Sequence, residues 1–218
     1  MTTRLAVFDC DGTLVDGQAA VCAAMAAGFA GAGLPAPDPH QVRRIVGLSL
    51  PQAVARLAPH AEPAARQRVV EAYKSAFFQA RSDGSLREPL YGGIAPLLTR
   101  LHGAGWRLGV ATGKSDRGLT GCLEMHGIAD LFATLQTADR HPSKPHPAML
   151  EAAMAETAAR PADTVMIGDT VYDIEMARAA GVRALGVAWG YHEPEELLAA
   201  GADAVAGTPA ELGEWLDG

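Results

Sequence analysis

Leu5-Ala-Val-Phe8, followed at once by Asp9-Cys-Asp-Gly-Thr13, is the stretch from which the rest of the chain is read. Four apolar residues in a row, closed by Asp, Gly and Thr, form the pattern of a short buried strand that ends in a polar turn. Residues 106–112, 131–135, 164–169 and 184–189 repeat that character. Helical patterns separate them at 94–103, 118–126, 147–158 and 172–180, followed by a helix over 195–200 and a last short strand over 202–205. Strand and helix in alternation predict an α/β fold, a doubly wound parallel sheet of Rossmann-like form with helices on both faces.

Residues 15–84 break the rhythm. Their pattern is helical throughout, over 18–30, 39–46, 50–57 and 63–81, with a Gly/Pro-rich break between the first two. The predicted organisation is therefore an α/β core from residues 1–14 and 85–218, with residues 15–84 inserted as a helical cap. Leu14 to Gly17 and Asp83-Gly84 are the natural hinges.

The chain of 218 residues is long enough for one large domain with an insertion, and 49% apolar against 20% charged residues is ordinary globular composition. A formal charge of -7 argues against a nucleic-acid or anionic-membrane partner. Three cysteines, Cys10, Cys22 and Cys122, have no pairing or zinc-ligand spacing, which fits a reducing compartment. The apolar run before Asp9, Leu5 to Phe8, has only four residues, too few for a signal-peptide core or a membrane span. The expectation is a cytoplasmic protein, monomeric or homodimeric.

Four polar clusters sit at or after the carboxyl ends of the predicted strands. They are Asp9 and Asp11 with Thr13; Thr112-Gly-Lys-Ser115; Ser143-Lys-Pro-His-Pro147; and Gly168-Asp-Thr-Val-Tyr-Asp173. Open α/β sheets bind ligands in the crevice outside those ends, so clusters remote in sequence are expected to converge. Asp9, Asp11, Asp169 and Asp173 would then crowd negative charge. Two unit charges 4 Å apart repel by about 4 kcal/mol at an effective dielectric near 20, so the group needs a cation. An all-oxygen ligand set points to Mg2+ rather than zinc. Lys144 suits a phosphoryl oxygen as a point charge, Thr112 offers a hydroxyl, and Gly113 lets backbone N–H groups approach an anion.

In this order, Asp9-x-Asp11-x-Thr13, Thr112, Lys144 and Gly168-Asp169 with Asp173 resemble the haloacid dehalogenase superfamily of phosphohydrolases. The likeness covers essentially the whole chain, because the helical insertion also resembles that family's small cap. It implies that Asp9 attacks phosphorus, that Asp11 serves as acid and then base, and that Thr13 braces the first loop. It further implies Mg2+ held by Asp9, the Asp11 carbonyl, Asp169 and Asp173, with Thr112, Gly113 and Lys144 on the phosphoryl group. Residues 43–49 are similar to the substrate-contacting segment of phosphoglycolate phosphatases, which marks Arg43, Gly47 and Ser49 as candidate specificity residues. Two adjacent arginines, Arg43 and Arg44, suit a second anionic group.

The same residues have plainer readings. Asp169 and Asp173 also suit helix caps, and Lys114 with Ser115 reads as the exposed start of a helix. Cys10 should point away from its acidic neighbours, Trp106 and Trp189 read as packing, and His141 and His146 read as loop residues. The leading expectation is a Mg2+-dependent phosphatase of a small phosphorylated metabolite, with phosphoglycolate first. The alternatives are a sugar-phosphate mutase of the β-phosphoglucomutase kind, an inorganic pyrophosphatase, or a receiver-like phosphoacceptor module without enzymatic output.

Overall fold

A computed structural model describes residues 2–217. Six parallel strands form one sheet in the order β3-β2-β1-β4-β5-β6: β1 Leu5–Phe8, β2 Arg107–Thr112, β3 Phe132–Thr137, β4 Thr164–Gly168, β5 Arg183–Val187 and β6 Ala204–Ala206. Pairing is in register from Leu5 against Arg107 on one side and Thr164 on the other. Successive strands step outward from β1 to β3, then return to β1's other side and step outward again to β6. The loops after β1 and β4 thus part in opposite directions and open a crevice between them.

Alternation along the strands divides the core. Ala6, Phe8, Val110, Ile167 and Leu185 face one side, against α5 (Ile94–Gly103), α6 (Asp116–Met125) and α10 (Pro209–Asp217). Leu5, Val7, Met166 and Ala184 face the other, against α7 (Ala148–Thr157), α8 (Val171–Ala180) and α9 (Pro194–Ala199). Cys10 is buried in the first of these faces.

The remaining helices, α1 (Gln18–Gly31), α2 (Pro39–Arg43), α3 (Leu50–Leu57) and α4 (Pro63–Ser82), lie between β1 and α5 in the chain. They bury Met25, Phe29, Val54 and Val69 among themselves and reach the sheet domain through Tyr172 and Tyr191. Among the described residues no helix is long and apolar enough to cross a membrane.

Most differences from the sequence expectation are at boundaries. α2 stops at Arg43 rather than 46, because the chain turns toward Gly47, whose φ of +97° no helix accommodates. α10 was not expected, although Thr208-Pro-Ala-Glu211 carries a helix-start signature. The Glu211 N–H donates to Thr208 Oγ1 (3.2 Å), and the Gly207 N–H to the Glu211 carboxylate (2.7 Å).

Leu98 on α5 is fully buried against the sheet. Leu98→Ala is expected to cost about 2–5 kcal/mol, read as a lower urea midpoint at unchanged slope.

Candidate active site

The turn after β1 is built on one carbonyl. The N–H groups of Thr13, Leu14 and Val15 all point to Cys10 O, at 3.3, 2.9 and 3.0 Å. Gly12 has φ +84°, and a Cβ there would overlap the Asp169 carboxylate and the Tyr191 ring. Glycine is thus required twice over, by conformation and by space. The turn brings Thr13 Oγ1 to donate to Asp169 Oδ1 at 2.7 Å, across 156 residues of sequence.

Asp9, Asp169 and Asp173 then meet, each offering an oxygen within 4.8 Å of the others. All three are buried, and so is Lys144, at 0% exposure. Lys144 Nζ lies 2.9 Å from Asp9 Oδ1 and 2.6 Å from Asp173 Oδ1. Asp9 Oδ1 also accepts the Cys10 N–H (2.6 Å), whereas Asp9 Oδ2 has no hydrogen-bond partner among the described residues. Asp169 Oδ2 accepts the Tyr191 N–H at 2.9 Å.

Asp173 satisfies both readings of its sequence position. Oδ2 accepts from the Thr170 N–H (3.1 Å) and Oγ1 (2.7 Å), closing the first turn of α8, while Oδ1 faces Lys144. The cap orients the carboxylate that the site uses.

The electrostatics follow from burial. Asp9 is pushed up to about 7 by loss of solvent, against the pull of Lys144. Asp169 is raised well above the usual carboxylate range by burial and then by Asp9 and Asp173. Burial would lower Lys144, but Asp173 and Asp9 outweigh it and hold the ammonium charged. Ionising all three carboxylates around one lysine would leave an excess of negative charge in a buried site, which is what raises Asp9 and Asp169. With an orphaned Asp9 oxygen and an oxygen-only donor set, this arrangement fits a divalent cation of the Mg2+ type.

Beside Asp9 opens a cavity of about 460 Å³. Asp9, Asp11, Thr112 and Gly113 form its floor, and Gly47, Leu48 and Ser49 hang over it from the helical layer. The Ser49 N–H donates to Ser143 Oγ (2.8 Å), next to Lys144 in sequence. A Cβ on Gly113 would collide with the Leu48 carbonyl oxygen and sit 2.8 Å from that of Gly47. The two backbones touch there.

Neither Arg43 nor Arg44 lines this cavity. Arg44 instead makes two bonds to the Glu196 carboxylate (2.5 and 2.6 Å), and its carbonyl accepts from Tyr172 OH at 3.1 Å. It ties the helical layer to the sheet domain. The cations on the cavity wall are Lys74, Arg81, Lys114 and Arg117.

Lys114 corrects a sequence reading. Its side chain is 8% exposed, not a surface group, and bridges Asp11 (3.1 Å) to Glu88 (2.5 Å). Ser115, read the same way, does cap α6, accepting the Gly118 N–H at 3.1 Å. The Glu88 side chain is fully buried, although nothing around it in sequence forms a motif. For Lys114 the signal was its place directly after Thr112-Gly113. Trp189, read as packing, also donates its indole N–H to Thr13 O (3.1 Å). Burial raises Asp11, although Lys114 draws it down.

The model of the family described as haloacid dehalogenase-like hydrolase matches residues 6–187. The chain belongs to that family. It is 34% identical to the probable phosphatase IndB of Dickeya dadantii over 212 residues, covering 95% of this chain and 91% of the relative. It is 30% identical to the phosphoglycolate phosphatase of Vibrio vulnificus over 217 residues, covering 96% and 94%. It is 33% identical to the N-acetylmuramic acid 6-phosphate phosphatase of Pseudomonas putida over 227 residues, covering 100% and 97%. The crystal structure of a predicted phosphatase from Clostridium acetobutylicum superposes with a TM-score of 0.88 at 25% identity, over 99% of both chains. As a member of the haloacid dehalogenase-like hydrolases, this chain is a phosphatase.

Two measurements probe the site. Gly113→Ala is expected to lower turnover at least about tenfold by displacing residues 47–48, with less than about 1 kcal/mol lost in urea unfolding. The raised Asp9 carboxyl has a second consequence. The folded chain holds that proton more tightly than the unfolded chain, whose carboxyl ionises near 3.8. The corresponding stability is present below about pH 4 and is lost as pH rises through about 7. In chelator, the melting temperature should fall from pH 5 to pH 8, and Asp9→Asn should flatten that decline in calorimetry.

Proposed function

We propose that this phosphatase hydrolyses a small phosphorylated metabolite with Mg2+ through an aspartyl-phosphate on Asp9. The observation that carries the reading is Asp9 itself. One of its oxygens is fixed by Lys144 and a backbone N–H, and the other is buried without a partner in a residue that lines the cavity.

Asp9 attacks phosphorus through its carboxylate as the bond to the leaving oxygen breaks, and Asp11 gives that oxygen its proton. Water then attacks the phosphorus of the aspartyl-phosphate. Asp11, now ionised, takes the proton from that water, and the bond to Asp9 breaks to release phosphate. The raised Asp11 carboxyl suits an acid that works near neutrality. Lys144 and Thr112, with the Gly113 backbone, hold phosphoryl oxygens, and Thr13 braces the first loop through Asp169. Mg2+ would be held by Asp9, Asp169, Asp173 and the Asp11 main-chain carbonyl, and would neutralise charge on the phosphoryl group.

Residues 15–84 act as the cap in this reading, with Gly47 and Ser49 over the substrate. The substrate is a small organic phosphate, and phosphoglycolate heads the panel because the Vibrio vulnificus relative is named for it. The cavity also admits larger alcohols, and a second relative is named for N-acetylmuramic acid 6-phosphate. Hydrolysis is preferred to mutase or pyrophosphatase chemistry because relatives matched over nearly the whole chain include two named as phosphatases of organic esters.

The test is phosphate release from a panel of phosphate esters and pyrophosphate, with Mg2+ and with chelator. Asp9→Asn is expected to lower kcat by at least about 10³-fold with an unchanged circular dichroism spectrum. Full activity in that variant or in chelator overturns the mechanism. An isomer as the product in place of free phosphate would establish a mutase.

A further inference from the structure

Lys114 takes no part in those steps, yet its ammonium is buried against the residue that moves protons. Its Nζ lies 3.1 Å from Asp11 Oδ1 and 2.5 Å from Glu88 Oε1. Glu88 sits in the segment joining α4 to α5, and its carboxylate is fully buried. The second Glu88 oxygen has no hydrogen-bond partner among the described residues and lies 3.7 Å from Arg81 Nη2. Arg81, in the last turn of α4, also donates to the carbonyls of Arg117 (3.1 Å) and Gly118 (3.3 Å) on α6. Phe77, one turn earlier, places its ring 5.5 Å from Lys114 Nζ. A row of alternating charges therefore runs Arg81, Glu88, Lys114, Asp11, from the helical layer to the cavity floor.

Burying a glutamate with no ligand to hold is costly unless its partner is fixed with it. The carboxylates that share Lys114 are Asp11 and Glu88, neither of which contacts Lys144, so the two lysines serve separate clusters. Asp11 Oδ1 faces the Lys114 ammonium at 3.1 Å as an ion pair, with no hydrogen-bond partner among the described residues, so the charge on that oxygen is compensated and Oδ2 is the oxygen assigned to carry the transferable proton. A general acid works only within hydrogen-bond reach of the atom it protonates, so such orientation has a direct effect on rate.

We propose that Lys114, fixed by Glu88, is a positioning residue that aims Asp11 at the leaving oxygen, and that α4 completes the arrangement through Arg81. The inference rests on the acid–base role of Asp11 proposed above. It makes proton donation depend on α4 being seated against α6, so that the acid is aligned when the cavity is covered.

Leaving-group dependence separates this role from a general loss of structure. The measured quantity is kcat/KM for 4-nitrophenyl phosphate, whose leaving group departs without a proton, and for the best alkyl phosphate of the panel, whose leaving group requires one. Lys114→Met is expected to lower the alkyl value about 30- to 100-fold and the nitrophenyl value no more than about threefold, the same ordering as Asp11→Asn. Lys114→Arg should recover most of the loss, and Arg81→Ala should show the same selectivity at about three- to tenfold. The inhibition constant of inorganic phosphate should stay within about threefold, because Lys114 does not grip the phosphoryl group.

Equal losses on both substrates, no loss on either, or a weakened hold on inorganic phosphate would overturn the proposal. Should Lys114→Met fail to fold with Glu88 unpaired, the double variant Lys114→Met, Glu88→Gln carries the same expectation. A wild-type protein inert toward every ester defeats the reading of the site. A normal wild type and a selective Asp11→Asn, with an unselective Lys114→Met, defeat only the positioning role.

Discussion

Three carboxylates buried within a few ångströms of one another constrain everything around them. Asp9 leaves the end of β1, and Asp169 and Asp173 follow β4, where the sheet's connections part. Removing one partner of a buried charge pair costs about 3–5 kcal/mol, so such a cluster persists only where cations are supplied. Lys144 supplies one, from a loop that belongs to neither strand. The charge that these carboxylates would carry when all are ionised, together with the unpartnered Asp9 oxygen, makes the site receptive to a divalent ion. Thr13, the backbone of Tyr191 and the first turn of α8 hold the carboxylates in place, so neutral hydrogen bonds orient the charged groups.

The helical layer closes on that cluster through backbone more than through side chains. Residues 47–49 approach Gly113 and Ser143 so closely that a methyl group would not fit between them and Gly113. Ion pairs at the periphery then secure the layer. Arg44 with Glu196 holds one side, and Arg81 with Glu88 and the α6 carbonyls holds the other. The Arg44–Glu196 pair keeps Glu196 down to about 2, although both side chains are over a third exposed and its stabilising effect is correspondingly small. A covered cavity excludes water, which strengthens each electrostatic contact inside it.

Legibility in the sequence followed distance along the chain. Leu5 to Thr13 could be read almost completely, because a strand buried on both faces needs an unbroken apolar run and the turn after it needs Asp, Gly and Thr. The α10 start at Thr208 was legible too, through local capping chemistry, but it carries no long apolar pattern to draw attention. Asp173 could not be divided between helix cap and site, since the two uses employ different oxygens of one carboxylate. Arg44 reads as an anion contact until its partner, 152 residues away, is seen to occupy it. Glu88 left no trace, because a single acidic residue in a linker looks solvated until its surroundings close over it.

From its residues alone this chain was determined to be an alternating α/β protein with a helical insertion and four polar strand-end clusters, because periodicity and turn chemistry act between near neighbours. Tertiary structure alone decided that Lys114 faces Asp11 and Glu88 rather than water, that Arg44 serves as a tie, and that one oxygen of Asp9 is left without a partner. Burial and ion pairing depend on which distant segments pack together, and linear order does not encode that distance.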